Sequence, residues 1–302
     1  MNGANSTRDQ NAHDRWWFDH RSWVLAAIGL VLVASGCVHL AVWAVLGGPW
    51  EGPITWRKPI LFGISGGVTA ISLGWAWSRL PFRRGDIWLA AATAWALLIE
   101  VVLIDLQRWR GVASHFNRET RLDSLLYDLM GGLILFVTVV IVDLTIRFVW
   151  QRSAIAGDML LAARAGLLFL AISCVLGIWA SVHGDMRATT GLSPETFGAA
   201  GVTKFPHGMA LHAIQWLPML AWASRRTGLE DRVRWRLVAV ATVGTTLLLA
   251  YALTQTLGGR GRFDTTAVGA TILVIAAVCL VVPTMITAAA WMTFPRTASP
   301  TR

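Results

Sequence analysis

The chain has 302 residues, 55% of them hydrophobic and 14% charged, and a formal net charge of +9. A soluble domain carries about 25% charged residues, so this composition argues against a soluble protein and indicates a lipid environment. The positive charge does not indicate nucleic acid as a partner, because the arginines lie between apolar runs, where membrane topology and anionic lipid headgroups explain them.

Apolar runs follow one another along most of the chain. Crossing a hydrocarbon core of about 30 Å takes about 20 apolar residues in a helix. Eight runs meet or approach that length: Trp23–Leu46, Pro59–Trp77, Ile87–Leu106, Leu125–Val149, Met159–Val182, Pro206–Ser224, Leu237–Leu257 and Ala267–Trp291. Since lipid offers no hydrogen bonds to backbone groups, all eight are predicted to be helices. The predicted fold class is therefore all-α, a polytopic membrane bundle of about eight transmembrane helices, of which the sixth is the most interrupted by polar residues.

The sequence predicts one domain. No linker separates the apolar runs, and no internal repeat is evident. Residues 23–292 are therefore predicted to form a single transmembrane domain. Residues 1–22 are predicted to be a disordered cytoplasmic tail, and residues 293–302 a second cytoplasmic tail.

Local signals mark helix ends and close helix packing. Thr120 and Asp123 have the spacing of a capping box, which predicts a helix start ahead of the fourth apolar run. Gly63, Gly66 and Gly67 give the second helix a thin face, which predicts close approach of a neighbouring helix.

The basic residues indicate the orientation. With eight alternating crossings, 16 of the 26 lysines and arginines fall on the side of the termini and 10 on the other side. The positive-inside rule then predicts that both termini are cytoplasmic in the cell membrane (the inner membrane where there are two).

Polar residues inside the apolar runs converge on the side away from the termini. The same threading places there His39, Lys58, Glu100, Asp105, Gln107, Arg110, His115, Asn117, Tyr127, Asp128, His183, Asp185, His207, His212, Gln215, Tyr251 and Gln255. On the near side the predicted buried charges are Asp143 and Arg147 alone, an i,i+4 ion pair. Ionisable residues within a membrane are costly and rarely face lipid, so the convergence predicts a functional site rather than contacts with headgroups.

Residue chemistry divides this site into roles. The residues predicted to act in catalysis are Glu100, His115, His212 and Arg110. The residues predicted to bind substrate are Lys58, Gln107, Asn117, Gln215 and Asp185. Imidazoles and a carboxylate suit iron or zinc, and imidazoles also bind haem iron. The predicted metal ligands are His115, His207, His212 and Glu100, and because His207 and His212 point about 140° apart on a helix, each needs partners from another helix.

The segment from Arg108 to Thr120, "RWRGVASHFNRET", is predicted to fold back over the mouth of the bundle. Gly111 allows the third helix to end just after Arg110. Phe116 is predicted to anchor the segment in the apolar bundle, and Asn117 is predicted to orient His115 through a hydrogen bond.

Two contacts are predicted for this segment. Arg110 is predicted to pair with Glu100 or Asp185, since a charge so near lipid needs an opposite charge. The ring of His115 is predicted to lie close to His207 or His212, which would join the polar residues into a single site.

The motifs resemble those of an uncharacterised family of multi-pass bacterial membrane proteins. Its first motif, E-x-x-L-I-x-x-Q-x-x-R-G-x-x-S-H-F-N, is matched from Glu100 to Asn117, and its second, a histidine five residues before H-A-x-Q, from His207 to Gln215. A third motif, K-P-I-K-F, is matched from Lys58 except that Leu61 replaces its second lysine. The resemblance implies the fold and the family but no activity.

Three functions are compatible with the sequence, beside a receptor or scaffold role that would leave the deep Glu100 and His212 unexplained. The first is a metal- or haem-dependent membrane enzyme, redox or lipid-modifying, that acts on a hydrophobic or amphiphilic small molecule. The second is a proton-coupled transporter, which is weakened because transport sites tend to lie at the midplane with access to both sides. The third is a cofactor-free acid–base enzyme acting on a lipid or isoprenoid, with Glu100 as the proton donor.

Overall fold

The computed structural model describes residues 19–150 and 155–293, and the chain divides into two compact units, Met1–Ser153 and Ala154–Arg302. The first unit contains α1 (His20–Leu46), α2 (Arg57–Ser78), α3 (Asp86–Trp109) and α4 (Arg121–Trp150). The second unit contains α5 (Gly157–Thr189), β1 (Thr196–Phe197), β2 (Gly201–Val202), α6 (Lys204–Leu211), α7 (Ala213–Ser224), α8 (Asp231–Leu257) and α9 (Ala267–Thr293).

Among the described residues, seven helices are long and apolar enough to cross a membrane. This confirms an all-α, multi-pass membrane architecture. The sixth predicted run is not one continuous helix, since α6 and α7 meet at His212, where φ is −92° and ψ is 7°. This backbone conformation separates the two short helices, so the count of eight crossings stays a prediction.

The predicted tails lie almost entirely outside the described residues. At the N-terminal end, α1 already begins at His20, because the Asp19 carboxylate accepts a hydrogen bond of 2.8 Å from the backbone N–H of Arg21. An acidic cap of this kind satisfies an amide that the first helical turn leaves free.

Glycines bring α1 and α2 into backbone contact. A Cβ built on Gly63 would stand 2.8 Å from the Cα of Gly36, and one built on Gly67 would stand 2.5 Å from the carbonyl oxygen of Gly29. No larger residue fits at such separations, which confirms the predicted thin face of the second helix. Gly66 lies off this face, with only Val101 and Leu32 side-chain atoms within 4 Å of its Cβ position.

A buried ionic network closes the end of the first unit from which α1 and α3 start. Asp86 accepts two hydrogen bonds of 2.9 Å from Arg147 and one of 3.2 Å from Arg21. All three residues are at most 5% exposed. The sequence-based pairing of Arg147 with Asp143 was therefore incomplete: that ion pair exists at 3.5 Å, but the Asp143 side chain is 41% exposed.

The second unit carries a similar network at the corresponding end. Asp158, 5% exposed, accepts hydrogen bonds from Arg225, one of them at 2.9 Å. Arg234 approaches the same carboxylate to 3.6 Å. A buried charge of this kind persists only when it is paired.

The two units repeat one arrangement of helices. In the first, α1 packs on α2, and α3 packs on α1, α2 and α4; in the second, α5 packs on α6 and α7, and α8 packs on α5, α6, α7 and α9. Counted from the last residue of each helix, most buried positions of α3 and α8 coincide: Ala90 with Val238, Thr93 with Ala241, Leu97 with Thr245, Val101 with Leu249, Ile104 with Ala252 and Gln107 with Gln255.

Equivalent positions also make equivalent contacts. Gly29 meets the backbone of Gly67 in the first unit, and Gly166 meets the backbone of Ile214 in the second. The ion pair of Arg21 with Asp86 corresponds in the same way to that of Asp158 with Arg234, with the two charges exchanged. The four-helix arrangement is therefore a repeated scaffold. Residues that the two units share maintain it, and residues that differ between the units can be distinguished from these.

Candidate functional site

A polar cluster joins the end of α3 to the start of α4. The Gln107 amide donates to Asp123 at 3.0 Å, and Arg110 donates to the same carboxylate oxygen at 2.8 Å and also to the Gln107 carbonyl. Thr120 caps α4 by accepting from the Asp123 N–H at 3.1 Å, while its hydroxyl donates back to the carboxylate at 2.6 Å. The predicted capping box is confirmed. Within the first unit, the carboxylate that pairs with Arg110 is Asp123 and not the predicted Glu100.

The second unit has a related polar junction that shares a glutamine and a capping threonine. The Gln255 carbonyl accepts from Arg260 at 3.2 Å, and its amide donates to the backbone oxygen of Asp264 at 2.7 Å. Thr266 accepts from the backbone N–H of Gly269 at 3.1 Å, as Thr120 does in the first unit. Gln107, predicted to bind substrate, therefore occupies a position that is glutamine in both units. Arg110, predicted to act in catalysis, aligns with Gly258 and is not shared by the two units.

His115 lies in an aromatic setting between α3 and α4. Its ring centroid is 5.6 Å from that of Phe62 and 5.9 Å from that of Tyr127, and its Nδ1 is 2.9 Å from the Ser114 hydroxyl. Phe116 has φ of 58° and packs against the cluster of Ile104, Tyr127 and Met130. The predicted anchoring of this segment by Phe116 is confirmed.

Asn117 and Lys58 contact the backbone of nearby loops. Asn117 donates to the backbone oxygen of Ala113 at 3.0 Å and accepts from the N–H of Glu119 at 3.1 Å. The predicted hydrogen bond from Asn117 to His115 was therefore wrong, because the loop backbone takes its amide. Lys58 lies in the first turn of α2, with Nζ 3.4 Å from the backbone oxygen of Pro53, and Asp185 lies near the end of α5, partly buried.

A second polar group in the first unit links α1 to α3. The indole of Trp109 donates to His39 Nε2 at 3.1 Å, so His39 carries its proton on Nδ1, which donates to the Ser35 carbonyl at 2.9 Å. The Ser35 hydroxyl donates to Asp105 at 2.9 Å, and that carboxylate oxygen is 3.9 Å from His39 Nδ1. Sequence reasoning named His39 and Asp105 singly but missed their association.

Glu100 lies in the middle of α3 and is 5% exposed. It shares the packed face of the helix with Leu97, Val101 and Ile104. Within the described parts of the chain, no side chain or backbone group forms a hydrogen bond or an ion pair with it. A buried polar group without a partner is costly, and Glu100 is therefore the residue of the first unit that packing explains least.

In the second unit, leucine stands where the first unit has the titratable residues His39, Glu100 and Asp105. With Gly29 of α1 matched to Gly166 of α5 and the last residues of α3 and α8 matched, the positions equivalent to His39, Glu100 and Asp105 are held by Leu176, Leu248 and Leu253. Leu176 and Leu253 pack against the apolar core of that unit. The scaffold therefore accepts apolar side chains at these positions, and the three polar residues are additions to it.

His207 has a fixed orientation in the second unit. Its Nδ1 lies 2.8 Å from the carbonyl oxygen of Ser173, which only accepts, so Nδ1 is the protonated nitrogen of the neutral ring. The Ser173 hydroxyl donates in return to the backbone oxygen of His207 at 2.9 Å. Gly177 leaves room for the ring, since a Cβ built on it would stand 3.1 Å from Nδ1. In the first unit, Ile60 stands at the position equivalent to His207.

His212 and Gln215 lie together at the start of α7. The His212 Nδ1 is 3.2 Å from the Gln215 carbonyl oxygen. His212 is exposed, whereas Ala213, Ile214 and Leu217 of the same helix are buried. The predicted common face of His212 and Gln215 is confirmed.

The predicted ligand set is divided between the two units, with Glu100 and His115 in the first and His207 and His212 in the second. Its assembly into one site stays a prediction. Within residues 19–150 and 155–293, no group of three or more histidine, cysteine, aspartate or glutamate residues is placed to hold a metal ion.

Comparison of the chain with protein-family models, with curated proteins and with solved structures gives no match.

Proposed function

We propose that the protein is a multi-pass enzyme of the cell membrane that uses His207 as a ligand to haem iron near the extracytoplasmic side. The observation that supports this most is the state of the His207 ring, whose Nδ1–H is held by the Ser173 carbonyl at 2.8 Å. Histidines that bind metals almost always donate their other ring N–H to a carbonyl or carboxylate, which fixes the tautomer and presents the free nitrogen.

The repeat supports a functional role for this histidine. Ile60 stands at the equivalent position of the first unit, and Gly36 stands where the second unit has Ser173. The scaffold therefore folds with an apolar residue and a glycine at these places. A serine–histidine pair inside an apolar helix bundle adds a desolvation cost that packing alone does not require.

Haem suits His207 better than a bare metal ion does. A zinc or non-haem iron site needs about three protein ligands, and the described residues supply no such group. Haem brings four nitrogens of its own and would need only one or two ligands from the protein. A Cβ built on the neighbouring Gly208 would meet no atom within 4 Å, so the helix surface is open at this position next to His207.

A bound haem would supply redox chemistry. The chain's own part is to hold the ring nitrogen of His207 in place through Ser173, and to exclude water through the surrounding apolar helices. The substrate class in this proposal is a hydrophobic or amphiphilic small molecule that reaches the protein from the bilayer.

The test is haem content in purified full-length protein. The wild type should show a Soret band and stoichiometric haem, and His207→Gly should lose both. Added imidazole should restore the band in His207→Gly, because it can occupy the space of the missing side chain. His20→Ala, which removes an exposed histidine at the start of α1, is the matched control and should keep its haem. A colourless wild-type preparation would refute the proposal.

A cofactor-free acid–base enzyme acting on a lipid or isoprenoid is the second candidate, and the burial of Glu100 favours it. A proton-coupled transporter has no separate support among the contacts of the described residues. A proteoliposome assay of proton flux distinguishes it from either enzyme.

A further inference from the structure

We propose that Glu100 is a proton-binding site of the first unit, held as a neutral carboxylic acid whose proton exchanges with the surroundings. The proposal is independent of haem, since it rests on the first unit alone. It begins from the contrast between Glu100 and the paired carboxylates around it.

The other fully buried carboxylates of the first unit's described residues are paired. Asp86 receives hydrogen bonds from Arg147 and Arg21. Asp123 receives them from Arg110 and Gln107. Glu100 is as buried as these residues but receives no hydrogen bond from any residue that the structure describes, so no neighbour there compensates a negative charge.

A negative charge at this position is therefore expensive. An isolated carboxylate moved from water into an apolar interior loses far more free energy of hydration than a neutral carboxyl group does. Glu100 lies on the packed face of α3 with Leu97, Val101 and Ile104. The neutral acid is the form that these neighbours tolerate.

The fold does not require an acid here. Leu248 stands at the equivalent position of α8, in a helix whose buried face otherwise follows that of α3. An ionisable residue that the scaffold can replace with leucine marks a functional position in a membrane protein. Binding and releasing a proton is the chemistry that a single carboxyl group without a fixed partner provides.

Infrared difference spectroscopy of the full-length protein in lipid tests the proposal directly. The spectrum of the wild type minus that of Glu100→Gln should contain the C=O stretching band of a protonated carboxylic acid, and this band should shift in D₂O. The control is Glu119→Gln, which removes an exposed carboxylate from the loop before α4 and should give carboxylate bands instead.

Each other outcome overturns the proposal. Carboxylate bands in the Glu100 difference spectrum would show that the residue is ionised and has a partner. An acid band that does not shift in D₂O would show a sealed structural acid without proton exchange.

A second variant, Glu100→Leu, copies the residue of the second unit. It should insert and fold normally, so that loss of the acid band can be measured in a folded protein.

Discussion

Replacing Asp86 with asparagine should destabilise the protein far more than replacing Asp143, the other carboxylate beside Arg147. Asp86 accepts three hydrogen bonds from guanidinium groups, at 2.9, 2.9 and 3.2 Å. At about 1.5–3 kcal/mol for each hydrogen bond to a charged group, their simple sum is an upper bound, because asparagine still accepts hydrogen bonds through its carbonyl. Breaking a buried pair by removing one partner costs about 3–5 kcal/mol, since Arg147 keeps its buried charge. Arg21 retains Asp19 as a partner.

The control in this comparison is Asp143→Asn. The Asp143 side chain is 41% exposed and lies 3.5 Å from Arg147, and exposed ion pairs contribute about 0–1 kcal/mol. Unfolding in mixed micelles of mild detergent and SDS measures both variants against the wild type. Equal losses of unfolding free energy in the two variants would refute the reasoning that burial and the number of guanidinium contacts set the cost.

Three further predictions concern packing, orientation and the added polar residues. Gly67→Ala should lower the free energy of unfolding by about 1–3 kcal/mol, because its Cβ would meet the Gly29 backbone and overpacking costs about that much. The control is the nearby Gly66→Ala, which should lower the free energy of unfolding by less than half as much in the same titration with SDS. Ser193→Cys should react with a membrane-impermeant thiol reagent from the extracytoplasmic side, and reaction from the cytoplasmic side alone would show the orientation inverted. The double variant His39→Leu with Asp105→Leu should unfold within about 1 kcal/mol of the wild type, because replacing a buried polar pair with apolar residues is often neutral and the second unit carries leucine at both equivalent positions. A loss of several kcal/mol would show that these residues are structural.

Local chemistry in the sequence predicted the ends of the helices well. Gly111, with φ of 74°, and the cap formed by Thr120 and Asp123 were both predicted from short-range rules. The glycines of α2 predicted a close helix contact for the same reason, since the absence of a side chain is visible in the sequence.

Contacts between distant residues were harder to predict. Asp123 was recognised as a cap but not as the partner of Arg110, because its second role depends on how the loop folds back onto α3. The association of His39 with Asp105 depends on the packing register of two helices, which the sequence does not specify. The break at His212 has no proline or glycine at the residue itself, so periodicity suggested a continuous helix.

The repeat was invisible in the sequence for a physical reason. The shared property of the two units is backbone spacing and burial, which many apolar residues satisfy equally well. At the positions where the first unit has an unusual polar residue, the second unit has a different residue, as with Glu100 and Leu248. Only the helix packing aligns them.

The exchanged charges of the two units also decide which helices recognise each other while the chain folds. Units with the same buried pattern can trade elements, and such misassembly is a characteristic failure of repeated architectures. If α1 packed against α8, Arg21 would face Arg234, and if α5 packed against α3, Asp158 would face Asp86. Juxtaposed like charges are repulsive and penalise wrong partners. The signs of the buried charges therefore favour the pairing of α1 with α3 and of α5 with α8 over the exchanged pairings.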